Sequence, residues 1–304
     1  SRENRGLIAT LNEAIALARG DLIARMDADD ISYPERLARQ VEAFSSHPGL
    51  CLCGTGIDTL NHERIYFGKP HSILTEGAPR VLSIFYTILL HPTLMIDRRV
   101  AGEELKYDPA FPHAEDFDLI RRLANKAPVL FLPEALLAYR QHNNSVTTMH
   151  RTVMRMTHMR IVAENLVADG FEGDVDALVS FATHISPEST QRLADLMVSI
   201  QRQFSDRDAG LLASYQFGWT ALFHLIHTMF IDARETSLLC KFMSETKSWH
   251  RIRRREQLVL RLSGHLPVVA VPGLKSSYAL HNLLCLPQSK PVKSVNSFFE
   301  KPIT

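Results

Sequence analysis

The chain has 304 residues, 45% of them hydrophobic and 22% charged, which allows a substantial core and two domains and excludes a disordered or fibrous class. Lys and Arg number 34 against 33 Asp and Glu, so a net charge of +1 provides no global field to hold nucleic acid or an anionic membrane. Four cysteines are too few for a disulfide scaffold, and Cys51 and Cys53 are too close for a paired metal knuckle, so reduced thiols and a cytoplasmic location are expected.

In chain order, Thr10 and Glu13 suggest a capping box opening a helix with Leu11, Ala14, Ile15 and Ala18 on one face, stopped at Gly20. The run Leu22–Met26 is apolar except for Arg25 and reads as an interior strand of a parallel sheet. It ends in Asp27-Ala28-Asp29-Asp30. A helix follows Pro34, with Leu37, Val41 and Phe44 at helical spacing, and Leu50 to Gly54 is a short strand before a loop-rich stretch containing Gly54, Gly56, Asn61 and Gly68. An apolar helix is expected over 79–90 and a strand over 91–96. Glu115-Asp116-Phe117-Asp118 opens a helix with Phe117, Ile120 and Ala124 on one face, and 128–132 and 134–139 read as two short strands. This alternation argues for an α/β fold over residues 1–148.

From 149 onward the pattern is mostly helical. Val153, Met156, Met159 and Val162 mark one helix; Leu193, Met197, Ile200 and Phe204 mark another, opened by Ser186-Pro187. Residues 209–231 carry no Asp, Glu, Lys or Arg and are long enough to span a bilayer, but Tyr215, Gln216, His224 and His227 favour a buried helix. The run Arg251-Ile252-Arg253-Arg254-Arg255 is a solvated face or a contact for acidic headgroups, and the tail from Pro267 is expected to be irregular.

Three carboxylates within four residues repel one another and are favourable mainly where a cation neutralises them. At the end of a strand, Asp27, Asp29 and Asp30 suit Mg²⁺ or Mn²⁺ with phosphate oxygens completing the shell; the alternative is a solvated turn capping the next helix. An EF-hand starting at Asp27 fails, because Ser32 and Ala38 stand where glycine and glutamate are required. An aspartyl-phosphate enzyme with Asp27 as nucleophile is weakened by Ile31, where a hydroxyl is expected. Glu115 and Asp116 at a helix N-terminus either complement its dipole or include a general base held ionised by it. His142 beside Arg140 suggests metal or phosphate contact.

The ordered blocks Asn4-Arg5-Gly6-Leu7, Asp27-Ala28-Asp29-Asp30 through Pro34-Glu35-Arg36-Leu37 and Gln40, His91-Pro92-Thr93, Ala114-Glu115-Asp116-Phe117-Asp118, and Tyr139-Arg140-Gln141-His142 resemble the family 2 glycosyltransferases of GT-A fold. The resemblance implies a partial GT-A domain over 1–148, followed by a helical accessory region over 149–304 with an irregular tail. It implies an inverting, metal-dependent transfer from a nucleotide-sugar, a UDP-sugar by expectation, to a glycan or lipid-linked acceptor in surface polysaccharide synthesis. In that reading Asp27 and Arg140 bind the donor and Asp29 and His142 the Mn²⁺ or Mg²⁺. Asp116 is the base and Glu115 its acceptor-positioning neighbour. The enzyme would act in the cytoplasm, with peripheral contact at the inner face of the plasma membrane. The family's first strands, which hold the nucleoside base, have no counterpart ahead of Asn4, so the chain alone is expected to be inactive or poorly soluble. A non-catalytic remnant or partner-dependent half is the alternative.

Overall fold

The computed structural model describes residues 3–61, 64–66, 77–141, 150–252, 257, 260 and 293–294. His142, Arg253–Arg255 and the tail from Pro267 to Val292 lie outside them. The chain divides into two units: Ser1–Ser83 with Thr87–Met154 and Cys285–Thr304, and Ile84–Tyr86 with Arg155–Leu284.

The first unit is a mixed sheet with helices, as an α/β reading requires. Its elements are α1 (Leu7–Leu17), β1 (Leu22–Ala24), β2 (Ile31–Ser32), α2 (Arg36–Ser46), β3 (Leu52–Asn61), β4 (Arg64–Tyr66), α3 (Ala78–Leu82), β5 (Met95–Asp97), α4 (Arg98–Ala101), α5 (Glu115–Lys126), β6 (Val129–Gln141) and β7 (Lys293–Ser294). Strand β3 is central. It pairs in parallel with β6 along its whole length, and antiparallel with β5 at its start and β4 at its end. The core joins Leu52, Leu94 and Ile96 of the sheet side to Leu119, Ile120 and Leu123 of α5, with Ile8, Leu11 and Ile15 of α1 packed on its margin. Burying each such side chain contributes roughly 1.5–3 kcal/mol.

Several expectations are corrected. The run at Leu22 is not an interior parallel strand: β1 has three residues, pairs antiparallel with β5 and stands at one end of the strand order. An apolar run signals burial but carries no information on strand direction. The capping box at Thr10 is absent, because α1 begins at Leu7 after Gly6 (φ 85°) and the Thr10 hydroxyl bonds Gly6 O within the helix at 2.8 Å. Gly54 and Gly56 lie inside β3 rather than in a loop. A Cβ on Gly54 would stand 2.8 Å from Leu89 Cδ2, and one on Gly56 3.0 Å from the Pro133 and Glu134 carbonyls. There β6, expected as two strands, bulges past β3 and continues. Pro133 lacks the N–H that a regular ladder needs, which places the irregularity there. The helix expected over 79–90 stops at Leu82, and 91–93 form a 3₁₀ turn before β5.

Helix α2 keeps only part of its expected face, with Phe44 half-buried against the cluster of Ala43, Leu50 and Cys53. Leu37 and Val41 are exposed, whereas Arg36, Gln40 and Ala43 are buried.

The second unit is helical, as expected: α6 (Arg151–Ala168) from Arg155 onward, α7 (Asp176–Thr183), α8 (Pro187–Arg202), α9 (Leu212–Asp232) and α10 (Thr236–Glu245). Ser186 caps α8 through a reciprocal box with Ser189, and Leu193, Met197, Ile200 and Phe204 are buried. Trp219, Phe223, Phe230 and Phe242 form the aromatic centre, and Trp219 Nε1 donates to Met197 O at 2.9 Å. His227 is buried there, and burial holds its imidazole down at about 4, in keeping with a packing role. Phe85, in the short Ile84–Tyr86 segment, packs closely against Gly218, while Asn165 Nδ2 donates to Ile84 O at 3.2 Å. Arg251 is not a solvated cation: it lies 4.5 Å from the Trp219 ring and donates to Thr220. Among the described residues no helix is long and apolar enough to cross a membrane.

Candidate active site

The acidic turn is built where β1 leaves the sheet. Arg25 N–H bonds Leu94 O at 2.8 Å, and the backbone then turns so that Asp30 N–H meets Asp27 O at 3.3 Å. The buried polar face of α2 holds this exit. Arg36 Nη2 donates to Arg25 O at 2.6 Å and Arg36 Nε to Gln40 Oε1 at 3.1 Å. Gln40 Nε2 donates to Cys53 O at 3.1 Å and Thr93 O at 2.9 Å. The Thr93 hydroxyl donates to Leu90 O and accepts Thr55 N–H. Buried polar groups have to be paired, and this chain of bonds ties the acidic turn to β3 and the 91–93 turn. Three blocks distant in sequence therefore become one scaffold.

Arg25 folds its guanidinium onto the turn, with Nη1 to Asp27 Oδ2 at 3.0 Å and Nη2 to Asp27 Oδ1 at 2.5 Å. The Arg25 side chain is only 10% exposed, against 37% for Asp27, so the pair is a charge-assisted fork rather than a surface contact. Asp29 sits at the exposed crest. Asp30 points inward: Oδ1 accepts Arg140 N–H at 2.8 Å, while Oδ2 is buried with no partner among the described residues. Arg140 Nε donates to Asp29 O at 2.7 Å. Burial, and then repulsion from Asp27 and Asp29, push the Asp30 carboxyl up to about 6, against the bond from Arg140 N–H.

The second acidic group opens α5. Glu115 is buried and Asp116 half-buried, with Asp116 Oδ1 accepting its neighbour's Phe117 N–H at 2.8 Å. Burial, followed by the adjacent Glu115 charge, lifts Asp116 up to about 6, while Arg25 draws it down. Asp118 has a different use, because Arg122 pairs with it one turn on and also ties Glu104 O and Lys106 O. The preceding loop is clamped by Asn12, whose side-chain amide exchanges two 2.8 Å bonds with the Tyr107 backbone. Tyr107 Oη meets His91 Nε2 at 2.7 Å. Burial, and then Arg25, hold His91 neutral with a pKa of about 3. Tyr107 is raised by burial and senses Arg25, Asp116, Glu115 and Asp27 together.

Asp27, Asp29, Glu115, Asp116 and Arg140 thus fall in one unit, and Arg25 acts on both acidic groups. Arg25, His91, Tyr107 and Asn12 did not stand out as site residues in the sequence. The available signals were a cation interrupting an apolar run beside an acidic cluster, for Arg25, and the His91-Pro92-Thr93 block, for His91. Among the described residues no three His, Cys, Asp or Glu side chains converge to hold a metal ion. The hard oxygens of Asp27 and Asp29, with the orphaned Asp30 Oδ2 behind them, suit a divalent cation that completes its shell with ligand phosphates.

Residues 1–101 match the family model described as Glycosyl transferase family 2. Over 138 residues the chain is 36% identical to the O-antigen biosynthesis glycosyltransferase WbnJ of Escherichia coli, covering 44% of this chain and 53% of that protein. It is 30% identical over 152 residues to the uncharacterized glycosyltransferase MJ1057 of Methanocaldococcus jannaschii, covering 47% and 50%. The structure of S. aureus TarS 1-349 in complex with UDP-GlcNAc is similar at 13% identity and a TM-score of 0.44, covering 74% of this chain and 70% of that one. The chain spans about half the length of the curated relatives it matches.

Proposed function

We propose that this chain, whose residues 1–101 match the Glycosyl transferase family 2 model, forms the cation, diphosphate and acceptor side of a nucleotide-sugar-dependent glycosyltransferase acting in polysaccharide assembly. The observation that carries the reading is the joint action of Arg25 on the Asp27–Asp30 turn and on Asp116, two acidic groups with different chemical uses. Asp29 at the exposed crest and Asp27 beside it would hold Mg²⁺ or Mn²⁺ against the donor diphosphate. When bound, the cation neutralises charge on the departing phosphate.

Asp116 is the proposed base. A carboxylate with a pKa of about 6 is ionised at neutral pH, yet basic enough to accept a proton from an acceptor hydroxyl as the sugar bond forms. Proton removal on the side of the sugar opposite the leaving diphosphate gives a single displacement and inversion. Buried Glu115 would orient the acceptor. The Asn12 clamp on Tyr107 and the Tyr107–His91 bond would keep that wall in place. His91, neutral at physiological pH, acts there as a hydrogen-bond partner rather than a cation. The donor is proposed to be a UDP-sugar and the acceptor a glycan or lipid-linked glycan. The match of residues 1–101 to that family model favours this reading over an aspartyl phosphate on Asp27.

Calorimetric titration of UDP with and without Mn²⁺, on this chain and on Asp29→Ala, tests the reading. Metal-dependent binding lost in the variant is the expected result. Binding that is indifferent to Mn²⁺, or unchanged in Asp29→Ala, would overturn it.

A further inference from the structure

The Asp27–Asp30 turn holds three carboxylates, and the cation that touches one of them is part of the chain itself. Arg25 takes both oxygens of Asp27, at 3.0 and 2.5 Å, from a side chain that is almost wholly enclosed. Its backbone is held on both sides, by Leu94 O at its N–H and by buried Arg36 at its carbonyl. The fork is therefore placed by the fold rather than by chance contact. With the Asp27 oxygens engaged, and no three side chains converging among the described residues, the described residues offer a cation an incomplete set of ligands.

We propose that Arg25 is a resident counter-ion that occupies Asp27 in the ligand-free site and competes with the divalent cation, so that the cation is taken up firmly only together with donor phosphates. This rests on the nucleotide-sugar reading above and deepens it by assigning an order of binding and the residue that enforces it. The physical basis is charge balance. One guanidinium stabilises an acidic turn that would otherwise repel itself, and a forked pair in an enclosed setting is strong enough to delay a bare cation. A diphosphate alters that balance in two ways. It supplies the missing oxygen ligands for the cation, and it presents anionic oxygens to which a guanidinium displaced from Asp27 can turn. Asp116, already under the influence of Arg25, would then have the divalent cation nearby only when the donor is bound.

The test follows the EPR signal of free Mn²⁺ during titration of the wild-type chain, Arg25→Gln and Arg25→Lys, each with and without UDP, with circular dichroism as the check on folding. Without nucleotide, Arg25→Gln is expected to bind Mn²⁺ about fivefold to tenfold more tightly than wild type. Arg25→Lys should fall between them, because an ammonium neutralises but does not fork both oxygens. The wild type should show the largest gain on adding UDP. If Arg25→Gln does not fold, Arg25→Lys carries the comparison. Equal or weaker uptake of Mn²⁺ by the variants, with tight Mn²⁺–UDP binding in all three proteins, would overturn the counter-ion role and leave the glycosyltransferase reading standing. No Mn²⁺ uptake even with UDP would overturn both.

Discussion

Replacing Asp30 with Asn should stabilise the first unit at neutral pH. Asp30 is 7% exposed, has one oxygen bonded to Arg140 N–H and the other without a partner among the described residues. Its pKa rises from the ordinary 3.8 to about 6 on folding, so the folded state binds the proton more tightly than the unfolded state. Its contribution to stability is therefore full below 3.8, declines as pH rises, and is lost above about 6. At about 1.4 kcal/mol per pH unit, the charged carboxylate costs about 3 kcal/mol at pH 7. Asn keeps the acceptor for Arg140 but introduces an amide N–H₂ that needs its own partner, which reduces the expected gain to about 1–3 kcal/mol. Hydrogen exchange of β3 and β6 peptides in EDTA, at pH 4 and pH 7, reads the first unit. Trp219 and Trp249 fluorescence reads the second as an internal control, since both tryptophans lie there. The advantage of the variant over wild type should grow by about 2–3 kcal/mol between pH 4 and pH 7. An equal offset at both pH values, or a less stable variant at pH 7, would refute burial of the Asp30 charge as the cause.

In the proposed reaction, Asp116→Asn should lower turnover by about 10²–10⁴-fold and remove a limb of the pH–rate profile that rises through about 6; a steady-state profile with donor and acceptor checks both. Gln40→Leu should destabilise the first unit by about 1–3 kcal/mol, because it strips partners from Arg36 Nε, Cys53 O and Thr93 O in a fully buried setting; urea denaturation followed by far-ultraviolet circular dichroism measures it. Gly218→Ala should cost the second unit about 1–3 kcal/mol or more, since its methyl group would stand 2.2 Å from Phe85 Cδ2. Loss of tryptophan fluorescence at lower urea is the readout, and an unchanged midpoint would show that Phe85 moves aside freely.

Local pattern made much of this protein legible. The acids of residues 27–30 and 115–118, the buried face of α5 and the Ser186 cap are short-range features, fixed by spacing or by a turn's own hydrogen bonds, and each stands where the sequence placed it. Local pattern misled wherever one choice depended on a distant partner. Leu37 and Val41 have the spacing of a buried face, but besides the apolar contact made by Ala43 and Phe44 the interior at α2 holds the carbonyl groups of Arg25, Cys53 and Thr93, so the helix turns Arg36 and Gln40 inward to satisfy them. Gly54 and Gly56 look like loop residues until Leu89 and the Pro133–Glu134 bulge are seen to occupy the space their side chains would need.

By itself, the sequence determined the α/β class, the helical second part and the identity of the acidic groups, because these follow from residue type and near-neighbour spacing. Tertiary structure alone decided that Arg25 forks Asp27, that Arg140 braces the Asp29–Asp30 turn, that Asn12 clamps Tyr107 and that Asp118 pairs with Arg122 instead of joining Asp116. Carboxylates of the same residue type take different roles according to which cation or N–H reaches them, and apart from the local Arg25 and Arg122 pairs those partners come from strands and loops far away in the chain.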